Sequence, residues 1–165
     1  MPLLRFEQVG NESNSDYNTS ETENCLMLDN FQDQFLSRNW TVAMSLLQRH
    51  QIIAERANTL NELPLHTALW IGAPEEIVFF ILTKCEDAVF RTNIKEQFPL
   101  HLAVKYCASL KIIEALIRRY PYALEEKDDE NMTLRDYGRC HGEKVDSLLR
   151  LPISFWIAQK KTCLF

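Results

Sequence analysis

The chain has 165 residues, of which 46% are apolar, enough to bury the continuous core of one folded domain. Its net charge of −5 is concentrated in residues 1–30, so the rest of the chain carries 17 acidic and 17 basic residues. A neutral body without a block of lysine and arginine lacks the electrostatic footprint of nucleic-acid binding, and we expect no nucleic-acid partner.

The cysteine pattern gives a prediction of the compartment. The five cysteines are widely spaced and form no CxxC pair, which argues against a disulfide framework. Reduced thiols are typical of a cytoplasmic or nuclear protein, and a redox or metal function of these thiols is the alternative. The longest apolar run, residues 77–82, is far shorter than the roughly 20 residues of a membrane span, so we expect no membrane association.

Residues 10–24 contain one aromatic and no aliphatic side chain. Such a segment cannot bury enough apolar surface to offset the entropy lost on ordering. We therefore predict that residues 1–25 form a disordered acidic tail. Because serine and threonine are dense there, a docking or phosphorylation segment is the alternative.

From residue 26 the apolar residues follow helical spacing. Phe31 and Phe35 lie four residues apart, and a second segment places Val42 with Leu46 and Leu47 on one face. Two short helices are therefore expected before residue 50.

The central feature is a repeat. The stretch Leu63–Ala68 (LPLHTA) returns 35 residues later as Phe98–Ala103 (FPLHLA), and the long apolar helices that follow the two stretches correspond at the same offset. Proline suits the first turn of a helix, where its missing N–H costs little, so each stretch should begin a short helix. Less regular copies precede and follow these two.

A period in the thirties with two helices per unit is the signature of a solenoid, in which each unit buries its apolar face against a neighbour. We predict an all-α fold of stacked helix pairs, with about three and a half repeats of period 35. The ten-residue segments between units contain the turn formers Asn58, Asn93 and Asp128 at matching places, and they should form projecting hairpin loops.

The repeated residues resemble the Thr-Pro-Leu-His-x-Ala motif of ankyrin repeats. The residues that carry this resemblance are Pro64, Leu65, His66 and Ala68, then Pro99, Leu100, His101 and Ala103, with Gly72 where that family places the glycine between its helices. The resemblance covers residues 26–150 and implies an ankyrin-like repeat domain. It departs from the motif at Leu63 and Phe98, which replace the threonine.

Without the family resemblance, a tetratricopeptide or HEAT array would be the alternative, since both stack helix pairs. The short first helix and the turn-rich connections argue against those arrays.

The apolar residues after Pro152 have a composition that is unusual for a free tail. We predict that residues 151–165 form a C-terminal extension that caps the last unit. A self-inhibitory segment folded into the concave groove, or a segment that binds a partner, is the alternative.

No constellation of catalytic residues stands out. The chain has only four glycines and no glycine-rich phosphate loop. The same histidine at the same place in successive units fits a scaffold better than catalysis, which needs unlike groups that converge. The resemblance implies that each imidazole bridges backbone groups of the helix start and the adjacent loop. We expect a non-enzyme without cofactor or metal.

The resemblance implies a function as well, because that family holds protein partners on a concave face built from its hairpins and short helices. We predict a monomeric adaptor for a protein partner, and the alternative is a structural or regulatory subunit of a larger assembly. The predicted partner-binding residues are Thr59, Leu60, Glu62, Ile94, Lys95, Gln97, Asp129, Glu130 and Met132 in the hairpins, and Trp70, Ile71, Lys105 and Tyr106 in the short helices. For Trp70 and Ile71, sealing the junction to the next unit is an equal alternative.

Overall fold

The computed structural model describes residues 30–138 and 142–162. Within these residues the secondary structure is helical, with only an isolated bridge between Lys127 and Thr133, so the predicted all-α class is confirmed. The helices are residues 30–36 (α1), Trp40–Arg49 (α2), Pro64–Ile71 (α3), Glu75–Lys84 (α4), Pro99–Lys105 (α5), Leu110–Arg119 (α6), Leu134–Gly138 (α7), Gly142–Leu149 (α8) and Ile153–Thr162 (α9).

The predicted acidic tail, residues 1–25, lies outside the described residues, as do residues 163–165 of the predicted C-terminal extension. The division into a tail, a repeat domain and an extension therefore stays a prediction.

The helices form two layers. The short helices α3, α5 and α7 contact one another in chain order, and the longer helices α2, α4, α6 and α8 do the same. Three 3-10 turns, Gln51–Glu55, Glu86–Phe90 and Pro121–Leu124, follow α2, α4 and α6 and begin the return of the chain to the short-helix layer. Each unit thus consists of a short helix, a long helix, a 3-10 turn and a loop.

The prolines and the apolar periodicity explain why these helices form where they do. Pro64 and Pro99 occupy the first turns of α3 and α5, where no backbone N–H is needed. Ser109 caps α6, because its side-chain oxygen accepts a hydrogen bond from the backbone N–H of Ile112. The long helices bury equivalent positions 35 residues apart, which are Ile77, Val78, Ile81 and Leu82 in α4 and Ile112, Ile113, Leu116 and Ile117 in α6.

One predicted face is displaced. α2 buries Ala43 and Leu47, whereas Val42 is 37% exposed and Leu46 is partly buried. The apolar pattern of α2 is short, and its contact with α4 decides which side of the helix faces the core.

The repeated histidines join neighbouring units. Nδ1 of His66 accepts a hydrogen bond from the backbone N–H of Leu63 at 3.1 Å, and its Nε2 donates to the carbonyl oxygen of Arg91, also at 3.1 Å. His101 makes the equivalent contacts with Phe98 at 3.1 Å and with the carbonyl of Glu126 at 3.3 Å. Each imidazole therefore connects the start of a short helix to the chain that leads into the next hairpin.

Two backbone positions recur in the left-handed region. Gly72, Cys107 and Gly142 have φ of 75°, 57° and 75°, and the hairpin residues Asn61, Glu96 and Asn131 have φ of 54°, 54° and 62°. Glycine tolerates this region freely and asparagine more readily than other residues. Cys107 and Glu96 are therefore the strained members of their sets.

The C-terminal helix α9 lies against α6 and the turn Pro121–Leu124. Trp156 is its buried residue, 2% exposed, and the guanidinium of Arg118 lies 5.7 Å from the centroid of the indole. The alternative that the extension fills the concave groove is wrong for the described part of α9, because this helix packs on the long-helix layer instead.

Acidification should weaken the fold through the two histidines. Burial lowers the pKa of His66 to about 4 and lowers the pKa of His101 below its ordinary value. The unfolded imidazoles bind protons below about pH 6.5, so the neutral folded state loses stability as the pH falls from about 6.5 toward 4. We expect the free energy of unfolding, measured in urea, to be level above this window. Within it, the loss should be at most about 1.4 kcal/mol per pH unit for each histidine.

The matched substitutions are His101→Gln and His50→Gln. The first should lower the melting temperature and flatten the pH slope, because it removes one titrating group that is buried. His50→Gln, which changes a histidine outside the two motifs, is the matched control for the melting temperature and should lower it less. An unchanged slope in His101→Gln would contradict the assignment of this pH dependence to the bridging histidines.

The left-handed positions predict opposite effects of glycine and alanine. Gly72→Ala should destabilise the protein by about 1 kcal/mol, since a Cβ there would meet nothing within 4 Å and only the backbone conformation opposes it. Glu96→Gly should stabilise it by about 0.5 kcal/mol, because relief of strain exceeds the added entropy of the unfolded chain. Urea unfolding of both variants measures the two shifts, and a loss of stability in Glu96→Gly would contradict the strain at that position.

Candidate concave binding site

The hairpins repeat one hydrogen-bond pattern. Oδ1 of Asn58 accepts the backbone N–H groups of Leu60 and Glu62, both at 2.9 Å. Asn93 and Asp128 do the same for the residues two and four positions further along their own loops, at 2.9–3.1 Å. These turn formers, predicted from the sequence, fix each hairpin by the same local bonds.

Backbone hydrogen bonds also join the hairpins to one another. The N–H of Ile94 donates to the carbonyl of Leu60 at 3.2 Å, and the N–H of Asp129 donates to the carbonyl of Lys95 at 3.1 Å. The side-chain amide of Asn61 adds a bond to the carbonyl of Thr92 at 2.9 Å. Neighbouring hairpins are therefore held side by side.

A groove of about 310 Å³ lies where the first two of these hairpins meet α3 and α5. Four large apolar residues form its exposed walls, with exposed fractions of 49% for Leu60, 38% for Trp70, 59% for Ile94 and 45% for Tyr106. Exposed apolar residues are unremarkable singly, but a contiguous group in a concavity is typical of a binding surface.

Most of the predicted partner-binding residues line this groove. From the predicted set these are Leu60, Glu62, Trp70, Ile94, Lys95, Gln97, Lys105 and Tyr106. The lining also contains Asn93 and Leu102, which are not among the predicted residues. The signal for Leu102 was available, because it occupies the variable position of the repeated motif.

The remaining predicted residues lie elsewhere. Thr59 is exposed on the first hairpin, outside the groove lining. Asp129 and Glu130 are exposed and Met132 is partly buried on the third hairpin, also outside the lining. The groove is therefore lined by two of the three predicted hairpins.

Two predicted contacts require correction. Ile71 is only 9% exposed and belongs to the hydrophobic core, so of its two alternatives the structure selects the junction. Gln97 borders the groove but is 2% exposed, because its amide points into the interior. Its Nε2 donates to Oδ2 of Asp128 at 3.1 Å and lies 3.3 Å from the hydroxyl of Tyr137.

Asp128 is the centre of a buried polar network beside the groove. Its Oδ2 accepts hydrogen bonds from the Tyr137 hydroxyl and the Gln97 amide, while its Oδ1 accepts the two hairpin N–H groups. Burial alone would raise the pKa of Asp128, but these hydrogen bonds hold the pKa below its ordinary value. Burial and the bond to Asp128 raise the pKa of Tyr137. The network fixes the second and third hairpins relative to α7.

Two lysines contribute positive charge to the groove. Nζ of Lys105 lies 5.2 Å from the ring centroid of Tyr137 and 6.0 Å from that of Tyr106, while Lys95 is exposed at the hairpin. Within the described residues neither lysine forms an ion pair. The carboxylate of Glu62, in contrast, accepts a hydrogen bond from Asn58 at 3.2 Å.

The histidines of the two motifs are already engaged in structural contacts. Both ring nitrogens of His66 and of His101 contact backbone groups. In residues 30–138 and 142–162 no three side chains among His, Cys, Asp and Glu are placed to hold a metal ion. Across the same part of the chain no helix combines the length and apolar character needed to cross a membrane.

A second cleft, which the sequence reasoning missed, lies on the long-helix side. It has a volume of about 300 Å³ and is lined by Phe90, Arg119, Tyr120, Pro121, Tyr122 and Ile157. The rings of Phe90 and Tyr122, 48% and 54% exposed, flank Tyr120. Ile157 belongs to α9, so this cleft exists only after the C-terminal helix has packed, and no local sequence pattern contains it.

Comparison with known proteins gives no match to this chain, either among protein-family models or among curated proteins.

The polar network predicts a contrast between two substitutions of Asp128. Asp128→Asn should cost less, about 1–2 kcal/mol, because asparagine keeps the Oδ1 acceptor that the other two hairpins use but replaces the Oδ2 acceptor of Gln97 and Tyr137 with a donor. Asp128→Ala should cost about 2–4 kcal/mol, since it leaves buried donors of the hairpin, Gln97 and Tyr137 without their acceptor. Urea unfolding measures both values, and equal losses would contradict the role of Oδ1 in the loop.

Proposed function

We propose that this protein is a non-catalytic, ankyrin-like repeat module that binds a protein partner in its concave groove. The observation that carries the proposal is the convergence of two hairpins and two short helices, one repeat apart, on a single open surface. Trp70 and Tyr106 contribute large exposed rings to that surface. Tryptophan and tyrosine are the residue types that dominate binding energy at interfaces.

The ankyrin-like assignment has three supports. The short helices begin at Pro64 and Pro99 and contact one another, as stacked units do. The motif histidines connect each short helix to the following loop. The hairpins lie in register because of backbone hydrogen bonds between them.

The same features favour binding over catalysis. The polar groups next to the groove, Asn93, Gln97 and Asp128, form hydrogen bonds with one another's loops and with Tyr137, and so act as structural supports. The groups left accessible are apolar rings and chains together with Lys95, which is exposed, and Lys105 and Glu62, which are partly buried. We further propose that the protein acts as a monomer in the cytoplasm or nucleus, without a nucleic-acid partner or a cofactor.

A second candidate function is that of a subunit in a larger assembly. The observation that favours it is the aromatic cleft on the long-helix side, where Phe90 and Tyr122 remain exposed beside α9. A protein with two apolar surfaces on opposite layers could contact two neighbours at once.

Two matched double variants separate these functions. Trp70→Ala with Tyr106→Ala should abolish capture of a groove-bound partner from a lysate of the source cells, as measured by quantitative mass spectrometry. The cost in stability should be about 1 kcal/mol or less for each change, because both rings are partly exposed. Phe90→Ala with Tyr122→Ala should leave this capture intact.

The opposite pattern would favour the subunit function. If the partner is lost only with the Phe90 and Tyr122 changes, the groove is not the main binding surface. A large fall in melting temperature with unchanged capture would assign Trp70 and Tyr106 to the core. If an enzymatic turnover is found and His66→Ala abolishes it at an equal concentration of folded protein, the non-catalytic assignment is wrong.

A further inference from the structure

The groove is lined by ionic groups as well as by apolar walls. Its walls are Leu60, Trp70, Ile94 and Tyr106, and its ionic groups are Glu62, Lys95 and Lys105. Glu62 is engaged by the amide of Asn58, whereas neither lysine has an ion-pair partner in the described residues. A neutral amide donor cancels no charge, so the formal charge of the lining, two lysines against one glutamate, is +1.

The position of this charge is fixed by aromatic contacts. Lys105 lies over the rings of Tyr106 and Tyr137, so its ammonium group is held beside the apolar wall instead of extending freely into water. Lys95 directly follows Ile94, the most exposed of the wall residues at 59%. Apolar surface and positive charge are thus adjacent on both sides of the groove.

Neither Asp128 nor Asp129 lines the groove, so neither adds to the single negative charge of Glu62 there. Asp128 is 4% exposed and saturated by hydrogen bonds from Tyr137, Gln97 and its own loop. Asp129 is exposed on the third hairpin and lies outside the groove lining. Its carboxylate should repel an acidic ligand that extends toward that hairpin.

We propose that the groove takes a segment of another protein in which an acidic residue stands beside a large apolar residue. The apolar side chain enters between Trp70, Ile94 and Tyr106, and the carboxylate pairs with Lys95 and Lys105. This inference rests on the proposed function, since it specifies the partner chemistry of the same groove.

The probe is a library of short random peptides, about twelve residues long, displayed on phage and selected on the immobilised full chain. Enriched peptides should carry Asp or Glu within about two positions of an aromatic or large aliphatic residue. A synthetic copy of one such peptide then serves as a fluorescent probe for anisotropy measurements. Its affinity should fall with rising salt concentration, because exposed charges are screened.

Charge variants test the assignment to the two lysines. Lys95→Gln with Lys105→Gln should weaken binding of the probe by about tenfold. Lys84→Gln, which neutralises an exposed lysine at the end of α4, is the matched control and should bind as the unaltered chain does. Asp129→Asn should strengthen binding, since it removes a carboxylate near Lys95 that would repel the acidic residue of the ligand.

Different failures have different meanings. Enriched peptides without acidic residues, or equal affinity in the double lysine variant, would overturn the proposed partner chemistry while Trp70→Ala sensitivity still supported groove binding. Peptides insensitive to Trp70→Ala and Tyr106→Ala would overturn the proposed function as well.

Two other occupants are also tested. If a synthetic peptide of residues 1–25 displaces the probe at equal or lower concentration, the occupant is the acidic segment of this chain and the assignment to another protein is wrong. If sedimentation shows a dimer that the double lysine variant abolishes, the occupant is a second copy. Weak displacement together with a monomer would support the proposal.

Discussion

The two buried imidazoles determine how far apart the repeated units lie. Each ring uses both nitrogens, one toward the N–H at the start of its own short helix and the other toward a carbonyl 25 residues further along. Because a neutral ring has one donor and one acceptor, this pair of contacts uses its full capacity. A buried group satisfied in this way has little freedom to shift, so the imidazoles hold Arg91 and Glu126, which lie in the chains that lead into the second and third hairpins.

The groove depends on this spacing. With Arg91 held by His66, the second hairpin runs beside the first, and the backbone bond from Ile94 to Leu60 can form. Below the surface, Asp128 takes up the donors of Gln97 and Tyr137. Most polar groups beside the groove therefore hold the hairpins in place. Its accessible lining consists of apolar side chains with Lys95, Lys105 and Glu62.

The polar network also limits what the site residues can do. To contact a ligand, a hydrogen-bonded amide such as that of Gln97 would have to leave its buried partners unsatisfied. The free-energy cost of the unsatisfied groups exceeds the gain from one surface hydrogen bond. The aromatic and aliphatic walls have no such competing bonds. Within one hairpin, polar side chains thus hold the loop in place, and apolar side chains remain accessible for the proposed binding.

Much of the architecture could be predicted from residues close together in the chain. The starts of α3 and α5 follow from Pro64 and Pro99, the end of α3 from Gly72, and the hairpin turns from Asn58, Asn93 and Asp128. The same reasoning, extended from one unit to the next, named most of the residues that line the groove. It did not foresee the burial of Gln97 and left Ile71 open between two alternatives, because repeat position indicates which loop or helix a residue occupies but not where its side chain points.

The sequence by itself determined the all-helical class, the period of 35 and the location of the turns, because these depend on local backbone preferences and on a spacing that recurs. Only the tertiary structure decided that Gln97 turns inward to a carboxylate 31 residues away. It also decided that α9 packs on α6 and completes a second cleft, leaving the groove open. These outcomes rest on contacts between distant segments, whose competing burial and hydrogen-bond energies no local pattern contains.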